Sequence, residues 1–212
     1  MDREKYLIDR GGRTTVPRSE RRIILILCEG EKTEPNYFKC FRYDAQKAFV
    51  SVKKSEYTNA KGIVTEAVER MRGGDYEAVW CVFDKDNNSP QDFNQAVQTA
   101  KDKGIGCAYS NECIELWFVQ HFQHIESALP RHGGGSYEDI LDRKLEELKK
   151  GKYEKNRKDM YDILFTKQTD AIRNAKNLIQ GYLNRSPIPT LSQQNPVTTV
   201  HLLVEMLNNL PQ

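Results

Sequence analysis

Two apolar runs in this chain show no polar alternation: Ile23 to Cys28 (IILILC) and Ala78 to Phe83 (AVWCVF). A strand with one wet face alternates apolar and polar side chains, whereas a strand covered on both faces does not. Both runs therefore read as strands of a parallel sheet with helices on each side. Each run ends in acid. Glu29-Gly30 follows the first, and Asp84-Lys85-Asp86 follows the second. Parallel strands bring their carboxyl ends to one edge, which is where open α/β sheets bind ligands. Glu29, Asp84 and Asp86 are thus expected to converge there. Three carboxylates in one place repel each other unless a cation shares the site, and an all-oxygen donor set suits Mg²⁺ or Mn²⁺.

The rest of residues 23–125 supports this reading. A helix is expected from about 34 to 43, with Thr33 as its cap and Pro35 in its first turn. Phe49 to Lys53 reads as a strand. Ile63, Val64, Ala67, Val68 and Met71 mark a helix over 60–72 that ends at Gly73-Gly74. Ser89-Pro90 opens another helix that Gly104 stops, and Ile105 to Ser110 is a further strand. The order β-α-β-α-β-α-β predicts an α/β fold whose mainly parallel sheet is flanked by helices. Gly30 permits a sharp turn that aims Glu29 into the cleft. Asp84 and Asp86 share one side if the strand persists that far. Residues 112–122 are expected as a buried helix capped by Asn111. Helices over 137–150, 154–165, 167–184 and 197–210 make the remainder, 126–212, a helical C-terminal portion packing on the core. The last helix is expected to return and cover the sheet.

The 32 basic and 30 acidic residues balance to only +2, so partners must be inferred from where the charges lie. Residues 1–22, expected as a basic arm, hold seven Lys or Arg against four acids. Residues 149–158 (KKGKYEKNRK) hold six against one. The second run reads either as a solvated helix face or as a phosphate-binding stretch of Lys152, Lys155, Arg157 and Lys158, interleaved with Tyr153 and Tyr161. The five cysteines form no CxxC pair, and Cys28 and Cys81 fall within buried strands, which suits a reducing compartment. No apolar run approaches the roughly 18 residues a membrane span needs. The expected location is cytoplasmic. No GxxxxGK[ST] loop occurs in these 212 residues, so any ATP dependence belongs to another chain.

An apolar strand ending in EG, followed about 55 residues later by one ending in DxD, resembles the Toprim domain of topoisomerases, bacterial primases and OLD-family nucleases. Four strings narrow the likeness: EGEKTEPNYF at 29–38, FDKDN at 83–87, SNECIELWFVQHF at 110–122 and NPVTTVHLLVEML at 195–207. Together they are similar to the RloB family, which is linked to abortive phage resistance. The resemblance implies a Toprim-like core and a Mg²⁺- or Mn²⁺-dependent nuclease acting in anti-phage defence. Glu29 takes the place of the catalytic glutamate, and Asp84 and Asp86 take that of the metal-binding aspartates. Glu34 either helps to hold a second ion or is an ordinary acidic first-turn residue.

The family string also carries a glutamate at Glu115. That residue either adds to the acidic cleft or pairs with a Lys or Arg, and Asn111 and His121 are candidates for supporting it. His121 and His124 lack an evident third zinc ligand, so a core role suits His121 better. Lys85 is expected as an ion-pair partner. Implied partners are nucleic acid (DNA or a structured RNA such as tRNA) and a separately encoded AAA or ABC-type ATPase. The alternative is a non-catalytic module that binds nucleic acid, a nucleotide or a partner protein through the same acidic cleft.

Overall fold

The computed structural model describes residues 22–86, 88–130 and 132–212. The arm expected over 1–22 lies outside them except for Arg22, which opens the first strand. Five strands, β1 (Arg22–Cys28), β2 (Ala48–Lys54), β3 (Ala78–Asp84), β4 (Gly106–Asn111) and β5 (Val197–Thr198), form one sheet in the order β2-β1-β3-β4-β5. The first four run parallel, and β5 is antiparallel to β4. The absence of alternation in β1 has its cause in the packing. Ile24, Ile26 and Cys28 face one apolar cluster, while Leu25 and Leu27 face another.

The helices divide between these two faces. The Tyr37 and Phe38 rings of α1 (Thr33–Phe38) join the first cluster, and α2 (Ala60–Gly73) and α3 (Pro90–Asp102) cover the second. Five more α-helices lie among the described residues: α4 (Glu115–Gln120), α5 (Tyr137–Glu147), α6 (Met160–Leu164), α7 (Gln168–Leu183) and α8 (Val200–Asn208). Helix α8 returns over the first face through Val200, Leu203, Val204 and Leu207, as expected. Helix α7 serves both clusters, with Ala171 and Ala175 in one and Leu178 and Tyr182 in the other.

Several local expectations are corrected. Thr33 does not cap α1; its hydroxyl donates to the Lys155 carbonyl instead (2.7 Å). Asn111 stays on β4 rather than capping α4, and its amide donates to the carbonyls of Ser192 (3.1 Å) and Gln194 (2.8 Å). The helix expected over 154–165 is only α6, because residues up to Asp159 form a loop. The C-terminal portion is not purely helical either, since it supplies β5. Among the described residues, no helix is long and apolar enough to cross a membrane.

Candidate functional site

Strand β1 lies inside the sheet, and the chain leaves it first for β2 on one side and then for β3 on the other. The carboxyl ends of β1 and β3 therefore bound a topological switch point, the usual crevice of an open α/β sheet. Cys28 pairs with Val82 in register. The Glu29 N–H extends the ladder one step, donating to the Val82 carbonyl (2.9 Å). Glu29 then turns its side chain across the gap, and Oε2 accepts the Asp84 N–H (3.0 Å). The side chain that follows β1 thus reaches the backbone of the last residue of β3, 55 positions further along the chain.

Gly30 has a use beyond turning the chain. A Cβ at this position would overlap the Glu34 carboxylate, so the missing side chain makes room for that buried acid. The Cys28 thiol is pushed well above its ordinary value, chiefly by burial and next by the Glu34 charge.

Strand β3 ends at Asp84, so strand alternation does not extend to Asp86. Asp86 instead sits in a turn with a left-handed backbone (φ 28°), a region that Asp tolerates better than most residues. Lys85 N–H donates to the Ser110 carbonyl (2.8 Å), and the Lys85 ammonium donates to the Asp86 carbonyl (3.3 Å) rather than forming the expected ion pair. Asn88 braces this turn. Its Nδ2 donates to the Asp84 carbonyl (3.0 Å), while its Oδ1 accepts the Ala60 N–H at the start of α2 (2.9 Å).

Glu29 and Asp86 line a cleft of ≈ 420 Å³ whose walls include Asn59, Lys61, Asn88 and Asp92. The amino ends of α2 and α3 open onto it, capped by Asn59 (accepting Gly62 N–H, 2.9 Å) and Ser89 (accepting Asp92 N–H, 3.1 Å). Lys61 pairs with Asp92 at 3.8 Å. Among the described residues, no three His, Cys, Asp or Glu side chains are gathered closely enough to form a ready-made metal cage. The donor chemistry nevertheless suits Mg²⁺, which keeps several of its waters and needs only one or two protein carboxylates.

The family model for RloB-like proteins matches residues 24–207, from β1 into α8. The chain belongs to the RloB-like family. Neither the curated proteins nor the solved structures include a match. The matched span of this RloB-like chain contains all the carboxylates described above.

The other foreseen residues lie elsewhere. Glu115 is buried at the start of α4. Its Oε1 accepts the Tyr153 hydroxyl (2.9 Å), and its Oε2 has no hydrogen-bond partner among the described residues. The expected Lys or Arg partner is thus replaced by a phenol. Burial first, and the Glu115 charge second, raise the Tyr153 pKa far above its usual value, so the phenol stays protonated and donates. His121 packs in the interior with Nδ1 2.9 Å from the Trp117 carbonyl, while His124 Nε2 is paired with Glu126 (3.2 Å). The two histidines are engaged separately. Lys152, Lys155 and Lys158 are exposed on a loop between α5 and α6, but Arg157 is turned inward.

Asn88, Lys61 and Asn59 were missed as site residues. The asparagine before the 60–72 periodicity was a legible cap signal for Asn59. No local pattern announced Lys61 or the brace made by Asn88, because both depend on how α2 meets the end of β3.

Proposed function

We propose that this RloB-like protein is a divalent-metal-dependent nuclease of the Toprim type. It would hydrolyse phosphodiester bonds as an effector of anti-phage defence, with a separately encoded AAA or ABC-type ATPase as partner. One observation carries the reading: at the β1–β3 switch point the Glu29 carboxylate accepts the Asp84 backbone N–H (3.0 Å), and Asp86 lines the same cleft as Glu29. A parallel β2-β1-β3-β4 arrangement is also compatible with a Toprim-like core.

In this reading Asp84 and Asp86 would hold Mg²⁺ or Mn²⁺, with Glu34 as a further acidic candidate. The bound ion would polarise the scissile phosphate and offset the charge that develops on it. Glu29, oriented by the Asp84 N–H, accepts a proton at its carboxylate from the attacking water. Lys61 draws a phosphate oxygen into the cleft. The substrate is DNA or a structured RNA such as tRNA.

The test is cleavage of plasmid DNA and of total RNA by the purified protein with Mn²⁺. Glu29→Gln keeps an acceptor for the Asp84 N–H and changes only the charge, so it separates chemistry from folding. Glu29→Gln and Asp84→Asn should each lower the rate by about 10²-fold or more with an unchanged melting curve. Wild-type rates in both variants would reject the enzymatic reading. Co-expression with the partner ATPase, followed by sequencing of cellular nucleic acid against the Glu29→Gln control, covers activity that needs the complex.

A second reading has its own support. Glu29 Oε2 already satisfies a backbone N–H, which is a structural duty, and a non-catalytic module would use the acidic edge only to bind a nucleic acid, nucleotide or partner. An inactive wild type whose partner complex is lost on Glu29→Gln would favour it.

A further inference from the structure

Residues 149–158 hold six Lys or Arg against one Glu, yet they do not form a helix. Lys149 and Gly151 adopt left-handed backbone conformations (φ 57° and 74°) that turn the chain after α5. Arg157 then closes the loop. Its Nη1 donates to the carbonyls of Lys150 (2.8 Å) and Lys152 (2.7 Å), and its Nε and Nη2 fork onto the Asp159 carboxylate (2.8 Å each). A guanidinium engaged by two carbonyls and a carboxylate has little left to offer a phosphate, and its side chain is only 15% exposed. Lys149, Lys150, Lys152, Lys155 and Lys158 all remain exposed, and Lys155 approaches Glu138 at 3.4 Å.

The loop is also seated at a meaningful place. Thr33 Oγ1 donates to the Lys155 carbonyl (2.7 Å), and Asn36 Nδ2 donates to the Asn156 carbonyl (3.1 Å). Both belong to the first turn of α1, directly after the turn that carries Glu29. Between them lies Glu34, packed on Gly30. Helix α1 covers one face of the sheet, and α2 and α3 cover the other. The lysine loop and the Lys61 cleft therefore flank the carboxylate edge from opposite faces.

We propose that loop 149–158 is a preformed docking surface for the sugar-phosphate backbone of double-helical nucleic acid. Its lysines contact phosphates, and Arg157 is the positioning residue that keeps them facing outward. The fate of the bound strand rests on the nuclease reading, whereas the docking itself needs no metal. Charge alone suffices to hold a backbone. Capture of single strands typically adds aromatic rings for stacking. The loop withholds its ring, because Tyr153 is half-buried with its hydroxyl on Glu115, and Tyr161 beyond the loop is buried in the core.

The experiment is fluorescence anisotropy of the full chain in EDTA. The ligands are a labelled DNA duplex, the RNA duplex of the same sequence and each separate strand. A duplex should bind more tightly than its strands, and the preferred duplex identifies the source of the backbone. Combining Lys150→Gln, Lys152→Gln and Lys158→Gln should weaken binding about tenfold or more and reduce the salt slope by up to about 2.7, at about 0.9 per lost phosphate contact. Arg157→Lys preserves net charge but cannot hold both carbonyls and the carboxylate, so it should weaken binding as well. Asp159→Asn opens the same fork from its other side and repeats the test if Arg157→Lys melts early. Parental affinity and slope in the triple variant would overturn the surface. Parental binding by Arg157→Lys and Asp159→Asn would overturn the positioning role, and tighter binding of single strands would overturn the duplex assignment. Because no cleavage occurs in EDTA, this result stands or falls separately from the Glu29→Gln rate.

Discussion

His121 shows how a residue that looked functional is accounted for by its surroundings. It is nearly inaccessible, its Nδ1 hydrogen-bonds the Trp117 carbonyl, and its ring meets the Trp117 indole edge-on at 4.8 Å. Burial pushes its pKa down to about 4 from 6.5, so it is neutral in the folded protein. The unfolded chain takes up the proton near 6.5 and the folded chain only near 4. Stability is therefore fully present above the higher value and is lost as pH falls through the window between them. The loss approaches about 3 kcal/mol for this one group, and His201 shifts in the same direction through burial. Urea midpoints should hold steady from about pH 8 to 7 and fall below about pH 6.5, and His121→Gln should flatten part of that fall. An identical slope in the variant would remove His121 as its source. At this scale the sequence was legible for Glu29 and Asp84, whose positions follow from strand ends. Thr33 and Asn111 look like caps in the sequence, but their partners, Lys155, Ser192 and Gln194, lie about 80 to 120 residues away.

At the scale of elements, the junction of β3, its turn and α2 carries the most consequence. The DxD spacing suggested two aspartates on one side of a continuing strand, but the ladder stops at Asp84 and a left-handed residue redirects the chain. Asn88 compensates by tying the strand end to the first turn of α2. Removing its side chain leaves the Ala60 N–H and the Asp84 carbonyl without these partners, at a cost of about 1–2 kcal/mol. Asn88→Ala should therefore lower the urea midpoint modestly. On the proposed metal reading it should also weaken Mn²⁺ binding by calorimetry, because the turn that carries Asp86 is no longer tied to α2. Asn94, which bonds Ser192 and is not among the residues lining the cleft, is the control. Asn94→Ala should cost similar stability and leave Mn²⁺ binding unchanged, and equal losses of Mn²⁺ affinity in both variants would refute the brace.

For the whole molecule, residues 126–212 cannot be treated as an appended lobe. They add β5 to the sheet edge, where Val197 pairs with Asn111 and the Thr199 N–H donates to the Tyr109 carbonyl (2.8 Å). Val197, Val200, Leu203, Val204 and Leu207 are all fully buried. Burial of such a side chain contributes roughly 1.5–3 kcal/mol, so losing five approaches or exceeds the roughly 5–15 kcal/mol stability of a typical domain. A chain ending at Asn184 should lack a cooperative thermal transition by circular dichroism, and a sharp transition near that of the full chain would contradict this.

Unalternating apolar runs sufficed to imply a parallel sheet covered on both faces, because only a doubly buried strand tolerates that composition. The acids that close those runs were enough to locate Glu29 and Asp84 at one edge, since parallel strands have no other place for their carboxyl ends. Spacing along the chain could not tell that Glu29 would cap β3, that Asn88 would hold the acidic turn, or that Arg157 would face inward. Those outcomes depend on backbone groups supplied by distant segments. Only the folded chain decides which N–H or carbonyl stands within 3 Å of a given side chain.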